Sequence, residues 1–267
     1  MKANWKVALM CIATLAFVAC NPNNNPDNPD NPDNPDQPGE YVQKIQVNDN
    51  SLADWNDVPA DKIVSCQLTD DAALLGLKSV KVYADEFYIF IQAEPDPEVI
   101  TSLAWVPFHV YINTDNSDAT GGYGDEFTDA NTDICLEGAV FGSETATTLA
   151  EAAISYAPGV FKWWGEVGAN GWSWTDPSVT HTADDKWGAV IGEGELQGTA
   201  SQFVDGIIEI QIMRELVPTD AGWNKEEFGI GFDIQQDWSS VGVMPLVAPT
   251  DDNTNGYTHK LQVKIDK

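Results

Sequence analysis

Basic residues, cysteines and helix-forming runs are all scarce in this sequence. Thirteen lysines and arginines stand against forty-two aspartates and glutamates, giving a net charge of −29. Such a surface repels phosphate backbones, which excludes nucleic acid as a partner. Only four cysteines occur in 267 residues, too few for a disulfide-built scaffold. The three histidines, His109, His181 and His259, lie far apart, in no metal-binding or triad spacing. No G-x-S-x-G, no H-E-x-x-H and no phosphate-cradling glycine loop occurs. Two carboxylates suffice for a glycosidase, but nothing singles out a pair. The reading is therefore of a protein that does not catalyse and needs no organic cofactor.

No apolar run is long enough to cross a bilayer. The longest, residues 7–18, follows Lys2 and Lys6 and would span roughly 18 Å as a helix, against ~30 Å of hydrocarbon. It reads as the apolar region of an export signal covering residues 1–19. Ala19 precedes Cys20, and Phe17-Val18-Ala19-Cys20 resembles a bacterial lipobox, in which the cysteine is acylated and becomes the new N-terminus. Residues 20–39 hold four Asn-Pro-Asp triplets and almost nothing apolar. Proline breaks helix and sheet alike, and with no surface to bury the segment is expected to stay disordered and solvated. At ~3.1 Å per residue its eighteen residues 21–38 reach on the order of 55 Å, a semi-rigid tether.

What remains, residues 40–267, reads as a single all-β domain. Residues 42–47, 78–84, 86–93, 108–112, 134–141, 206–213, 228–235 and 260–265 have strand character. In Leu261-Gln262-Val263-Lys264-Ile265 and Ile208-Glu209-Ile210-Gln211-Ile212 every second residue is apolar, the period of a half-buried strand. Residues 87–91 are apolar almost throughout, which predicts a central strand covered on both faces. Asp85-Glu86 reads as a hairpin turn. Only 147–153 and 213–217 look helical, the latter stopped by Pro218. Many strands with Gly, Asn and Asp turns predict an antiparallel β-sandwich. Cys66 and Cys135 are left as either one disulfide or two buried thiols.

Two stretches carry candidate chemistry. Residues 113–123, Asn-Thr-Asp-Asn-Ser-Asp-Ala-Thr-Gly-Gly-Tyr, are dense in oxygen donors and glycine, as calcium loops are. Counted from Asp115, however, Thr120 falls where an EF-hand needs glycine, so the loop is no EF-hand. A plain polar loop using Asx-turns accounts for the same composition. The second stretch places Trp163, Trp164, Trp172 and Trp174 within a dozen residues. Gly168-Ala169-Asn170-Gly171 between them reads as a hairpin. Indole rings stack on the C–H faces of sugars, but they also fill cores. Both readings stay open.

Asn48-Asp49-Asn50-Ser51-Leu52-Ala53-Asp54-Trp55, behind a first strand, resembles the opening of the family 9 carbohydrate-binding modules and their DOMON-like relatives. The paired runs 80–84 and 87–91 resemble the next signature of that superfamily. Residues 113–116 with Thr120-Gly121-Gly122, then 128–138, are similar to the third. The resemblance covers most of 39–267 with short, degenerate motifs. It implies a β-sandwich with a structural Ca2+ held by the carboxylates of Asp115 and Asp133 and by backbone carbonyls near Asp118 and Gly121. Asn113 stands where relatives carry an aspartate. It also implies polysaccharide or oligosaccharide binding by aromatics, here Trp163, Trp164, Trp172 and Trp174. The Asn/Asp-rich tether behind a lipobox is similar to those of Bacteroidetes lipoproteins, which implies a lipid-anchored place on the outer membrane. A structural or adhesion protein that binds another protein at the cell surface is the alternative.

Overall fold

The computed structural model describes residues 41–69, 72–124, 127, 131–152, 154–171, 173–175, 186–245 and 260–267. The signal, Cys20, the tether, residues 128–130, Trp172, His181, His259 and the side chain of Trp174 lie outside the described residues.

Among the described residues, thirteen strands carry the fold. In chain order they are β1 (Val64–Gln67), β2 (Leu77–Asp85), β3 (Tyr88–Pro95), β4 (Val106–Asn113), β5 (Ile134–Phe141), β6 (Gly159–Trp163), β7 (Trp174–Thr175), β8 (Trp187–Ile191), β9 (Thr199–Val204), β10 (Ile207–Met213), β11 (Glu227–Gln236), β12 (Ser239–Met244) and β13 (Leu261–Asp266). The only helical turns among the described residues are 3-10, at Ala53–Asn56, Ala60–Lys62 and Arg214–Leu216. The strands form one curled sheet in the order β7-β8-β6-β5-β4-β11-β13-β2-β3-β10-β9, with β1 added to β2 and β12 to β11. β13 joins the two halves. It runs antiparallel to β11 (Phe228 opposite Val263) and parallel to β2 (Ile265 opposite Ala84).

Curling brings the halves into one core. Alternate residues of β2, β3 and β10 (Val80, Val82, Ile89, Ile91, Ile208, Ile210) pack with alternate residues of β4, β5 and β11 (Phe108, Val110, Ile134, Leu136, Ile230, Phe232). The period of two in the sequence is thus the inward face of each strand. The opposite faces are covered as well. Ile45, Trp55 and Val58 lie against Tyr83 and Phe90 on one half, and Phe127, Trp163, Trp187 and Val243 against Tyr111 and Cys135 on the other. Hence all eight residues of β4 are buried, and in β3 everything from Ile89 to Ala93 is. The sandwich and the doubly covered β3 agree with the sequence reading.

Five expectations need correction. Residues 42–47 form no strand: Asn48 and Asn50 have φ of 82° and 60°, and the Gln46 N–H is taken by the Asp54 carboxylate. The segment is a cover whose anchor is buried Ile45. Residues 147–152 make a turn, not a helix, tied by the Thr147 N–H and hydroxyl to Glu151. Residues 214–216 make one 3-10 turn. Two pairings, β7 with β8 and β13 with β2, are parallel. The turn at 168–171 closes no hairpin, because β8 inserts between β6 and β7. Of the two states left open for Cys66 and Cys135, the structure has two free thiols, Cys135 buried and Cys66 partly exposed.

Candidate functional site

The site is built where the polar loop after β4 meets the end of β6. Gly121 adopts φ of +69°, which turns the chain so that Gly122 pairs with Thr132 in both directions (3.0 and 2.6 Å). On its other side the loop is laced to the turn after β6, through Gly168 N–H to the Gly121 carbonyl at 3.0 Å and Tyr123 N–H to the Ala169 carbonyl at 3.1 Å. The two stretches that the sequence singled out for calcium and for tryptophan are therefore neighbours.

Between them lies a groove of about 240 Å³ whose lining includes Thr120, Asp133, Lys162, Trp163, Trp164 and Asp220. The two indoles are held differently. Trp163 is 9 % exposed. Its ring meets Trp187 edge-on at 5.1 Å, its N–H donates to the Glu166 carbonyl at 3.1 Å, and a Cβ on Gly122 would fall 2.2 Å from it. It belongs to the packed layer and leaves little surface to the groove. Trp164 is half-buried. Its six-membered ring lies so close over Gly188 of β8 that a Cβ there would sit 2.0 Å away. A glycine in β8 thus forms the seat that lets this ring serve as a wall.

Polar groups converge on the same space. Asp133 accepts from the Thr114 N–H at 2.8 Å and from the Thr114 hydroxyl at 3.1 Å. Burial pushes its carboxyl above the ordinary aspartate range and the nearby Asp115 charge adds to this, while the Thr114 bonds pull the other way. Lys162 leaves β6 to meet Asp220 at 2.6 Å. A half-buried indole beside a carboxylate, a hydroxyl and an ion pair can stack a sugar ring and hold its hydroxyls.

Of the four predicted calcium ligands, Asp115 and Asp133 come together, Asp115 through the Thr120 hydroxyl (3.1 and 3.0 Å). Asp118 does not join them. Its carboxylate meets Lys260 at 2.9 Å and its carbonyl accepts from the Asn131 amide at 2.9 Å. The Gly121 carbonyl is taken by Gly168. Among the described residues no group of three His, Cys, Asp or Glu is placed to hold a metal. These four residues as arranged do not form the six- to eight-oxygen shell that calcium takes.

Lys162 and Asp220 were missed by the sequence reading, since the pair spans 58 residues and neither has a local signature. His109, read as structural, is 2 % exposed and lies 2.8 Å from Glu137 and 4.0 Å from Asp233, away from the groove. The Asp54-Trp55 pair also has a structural reason. Trp55 is buried and its indole N–H donates to Glu209, which also accepts from Gln202. Burial raises the Glu209 pKa. No family model matches the chain, and no curated protein is similar to it.

Proposed function

We propose that the chain is a lipid-anchored, non-catalytic glycan-binding protein of the outer membrane, and that the groove at Trp164 is where the sugar sits. One observation carries this reading. The loop after β4 and the tryptophan stretch, 40 or more residues apart in sequence, line one open groove that joins a half-buried indole to a carboxylate, a hydroxyl and an ion pair. Calcium at Asp115 and Asp133, which share the Thr120 hydroxyl, is a separate question from the sugar groove and is tested by melting in Ca2+ and in Mg2+.

The test uses the full chain and Trp164→Ala, with retention on immobilised polysaccharides and a glycan array as readouts. The variant is expected to lose retention while its Tm stays within a few degrees of the parent. Unaltered retention would remove the groove from the reading. Trp163→Ala cannot serve, because emptying that packed site costs about 3–5 kcal/mol. The anchor is tested on its own, in cells. Cys20→Ser is expected to abolish incorporation of labelled fatty acid and to release the protein from the membrane fraction. Continued labelling would reject the lipobox.

A further inference from the structure

A second pocket gathers positive charge in a strongly acidic molecule. Arg214 is the only arginine of the chain, and it is 5 % exposed. Its guanidinium lies 4.9 Å over the Trp223 ring and 5.8 Å over that of Phe228. One terminal nitrogen donates to the carbonyls of Asp85 (2.8 Å) and Glu86 (3.3 Å), the other to that of Asn224 (3.3 Å). All three acceptors are uncharged backbone oxygens. The Arg214 Nε–H and the Trp223 indole N–H are buried with no acceptor among the described residues. Burying a donor without an acceptor is unfavourable, so each such donor calls for a reason.

Both residues line a cavity of about 380 Å³, within the range of small-ligand sites. Lys225 and Lys267 also line it, Lys267 paired with Glu226 beside the cavity, Ile265 gives it an apolar wall, and Glu86 is the one acidic side chain in the lining. Three of the chain's thirteen cationic side chains thus share one cavity. The molecule as a whole repels anions, so an anion that enters must be held by local contacts. A planar guanidinium and an indole N–H, both fixed by packing, suit a planar, doubly accepting group better than a point charge.

We propose that this pocket binds a carboxylate, carried by a small organic acid or by the uronic acid of a glycan. It is separate from the Trp164 groove. A carboxylate in it lies beside Arg214 and Trp223, whose buried N–H groups reach it once the lining side chains shift, and it competes with Glu226 for the Lys267 ammonium while adding its charge beside Lys225.

The test titrates the full chain, purified in a non-ionic detergent, with glucuronate, acetate, glucose and chloride at constant pH and ionic strength, reading Tm and calorimetric heat. Glucuronate is expected to raise Tm in a saturable way and glucose and chloride to leave it unchanged. A matching rise with acetate assigns the site to any small carboxylate, and none with acetate assigns it to sugar acids. Trp223→Phe, which keeps a ring and deletes the N–H, and Lys225→Gln are each expected to weaken glucuronate binding about tenfold. Neither should lower the Tm of the protein without ligand. Trp164→Ala should bind glucuronate as the parent does. Equal shifts with chloride and glucuronate, or no carboxylate-dependent shift at all, would reduce Arg214 to a clamp on the β2–β3 turn and overturn the proposal. So would variants that bind like the parent.

Discussion

At the scale of single residues, environment decides what a side chain does, and the sequence shows only its type. Trp163 and Trp164 are adjacent letters, yet one completes a packed aromatic layer and the other walls a groove. The alternation of strand faces predicts that they differ, but not which of them stands open to the groove. That outcome depends on Gly122 and Gly188, which sit far away in sequence and close in space. Asp266 shows the same dependence. At the end of β13 it meets Lys44 at 2.6 Å and Lys62 at 3.1 Å, and it accepts from the Tyr83 hydroxyl at 3.0 Å. Those bonds, the one from Lys44 foremost, hold its pKa down to about 2. A depressed carboxylate stabilises the fold fully above its unfolded value, near ~3.9, and the stabilisation is lost as pH falls through about 2. Asp266→Asn is therefore expected to cost on the order of 1 kcal/mol near neutral pH, since the lysines are partly exposed. The gap in Tm between parent and variant should close as the solution is acidified below pH 4 toward about 2. A gap that stays constant across that range would show that the ionised carboxylate contributes nothing.

At the scale of elements, periodicity was a sound guide to strands and a poor one to everything that pairs at long range. β10 and β13 read directly from their alternation, and β3 from its unbroken apolar run. What misled was local sequence whose backbone hydrogen bonds go to side chains. Residues 42–47 look like a strand, yet Asp54 and Gln211 take up their polar groups. The turn after β6 looks like a hairpin, yet the next strand to pair with β6 is β8, reached only after Lys186. Two real hairpins offer a comparison. The β9–β10 turn is Asp205-Gly206, with φ of 51° and 87°, and the β11–β12 turn is Asp237-Trp238, with φ of 52° and 61°. Both are two-residue turns with both central φ values positive, for which glycine is preferred. Trp238 takes that conformation with 63 % of its surface exposed, so it bears the steric cost without burial to offset it. Trp238→Gly is expected to stabilise the protein by about 0.5–1 kcal/mol, the cost of a left-handed side-chain-bearing residue, read as a rise in the chemical denaturation midpoint at unchanged slope. A fall in that midpoint would mean that the exposed indole makes a stabilising contact within the molecule that outweighs the backbone cost.

For the whole molecule, charge is the property most legible from composition and least legible in its arrangement. A net charge of −29 predicts self-repulsion that salt relieves, because exposed charges farther apart than ~8 Å are screened at physiological ionic strength. The resemblance to calcium-bearing modules predicts something narrower, a gain for Ca2+ alone. The folded loop argues for the broad effect. Its most exposed aspartate, Asp118, meets Lys260, and the Gly121 carbonyl meets Gly168. Asp115 and Asp133 are then left as a pair steadied by the threonine hydroxyls of 114 and 120. Two carboxylates so engaged give a cation two ligands, well short of the coordination calcium needs. Melting curves in Ca2+ and in Mg2+ at equal ionic strength should therefore coincide, both above the curve at low salt, and EDTA at constant ionic strength should leave Tm where it was. A saturable rise seen with Ca2+ and not with Mg2+ would show the loop rearranging to bind the ion. Asp115 and Asp133 would then be its first ligands, and Asp133→Asn should erase the difference between the two cations.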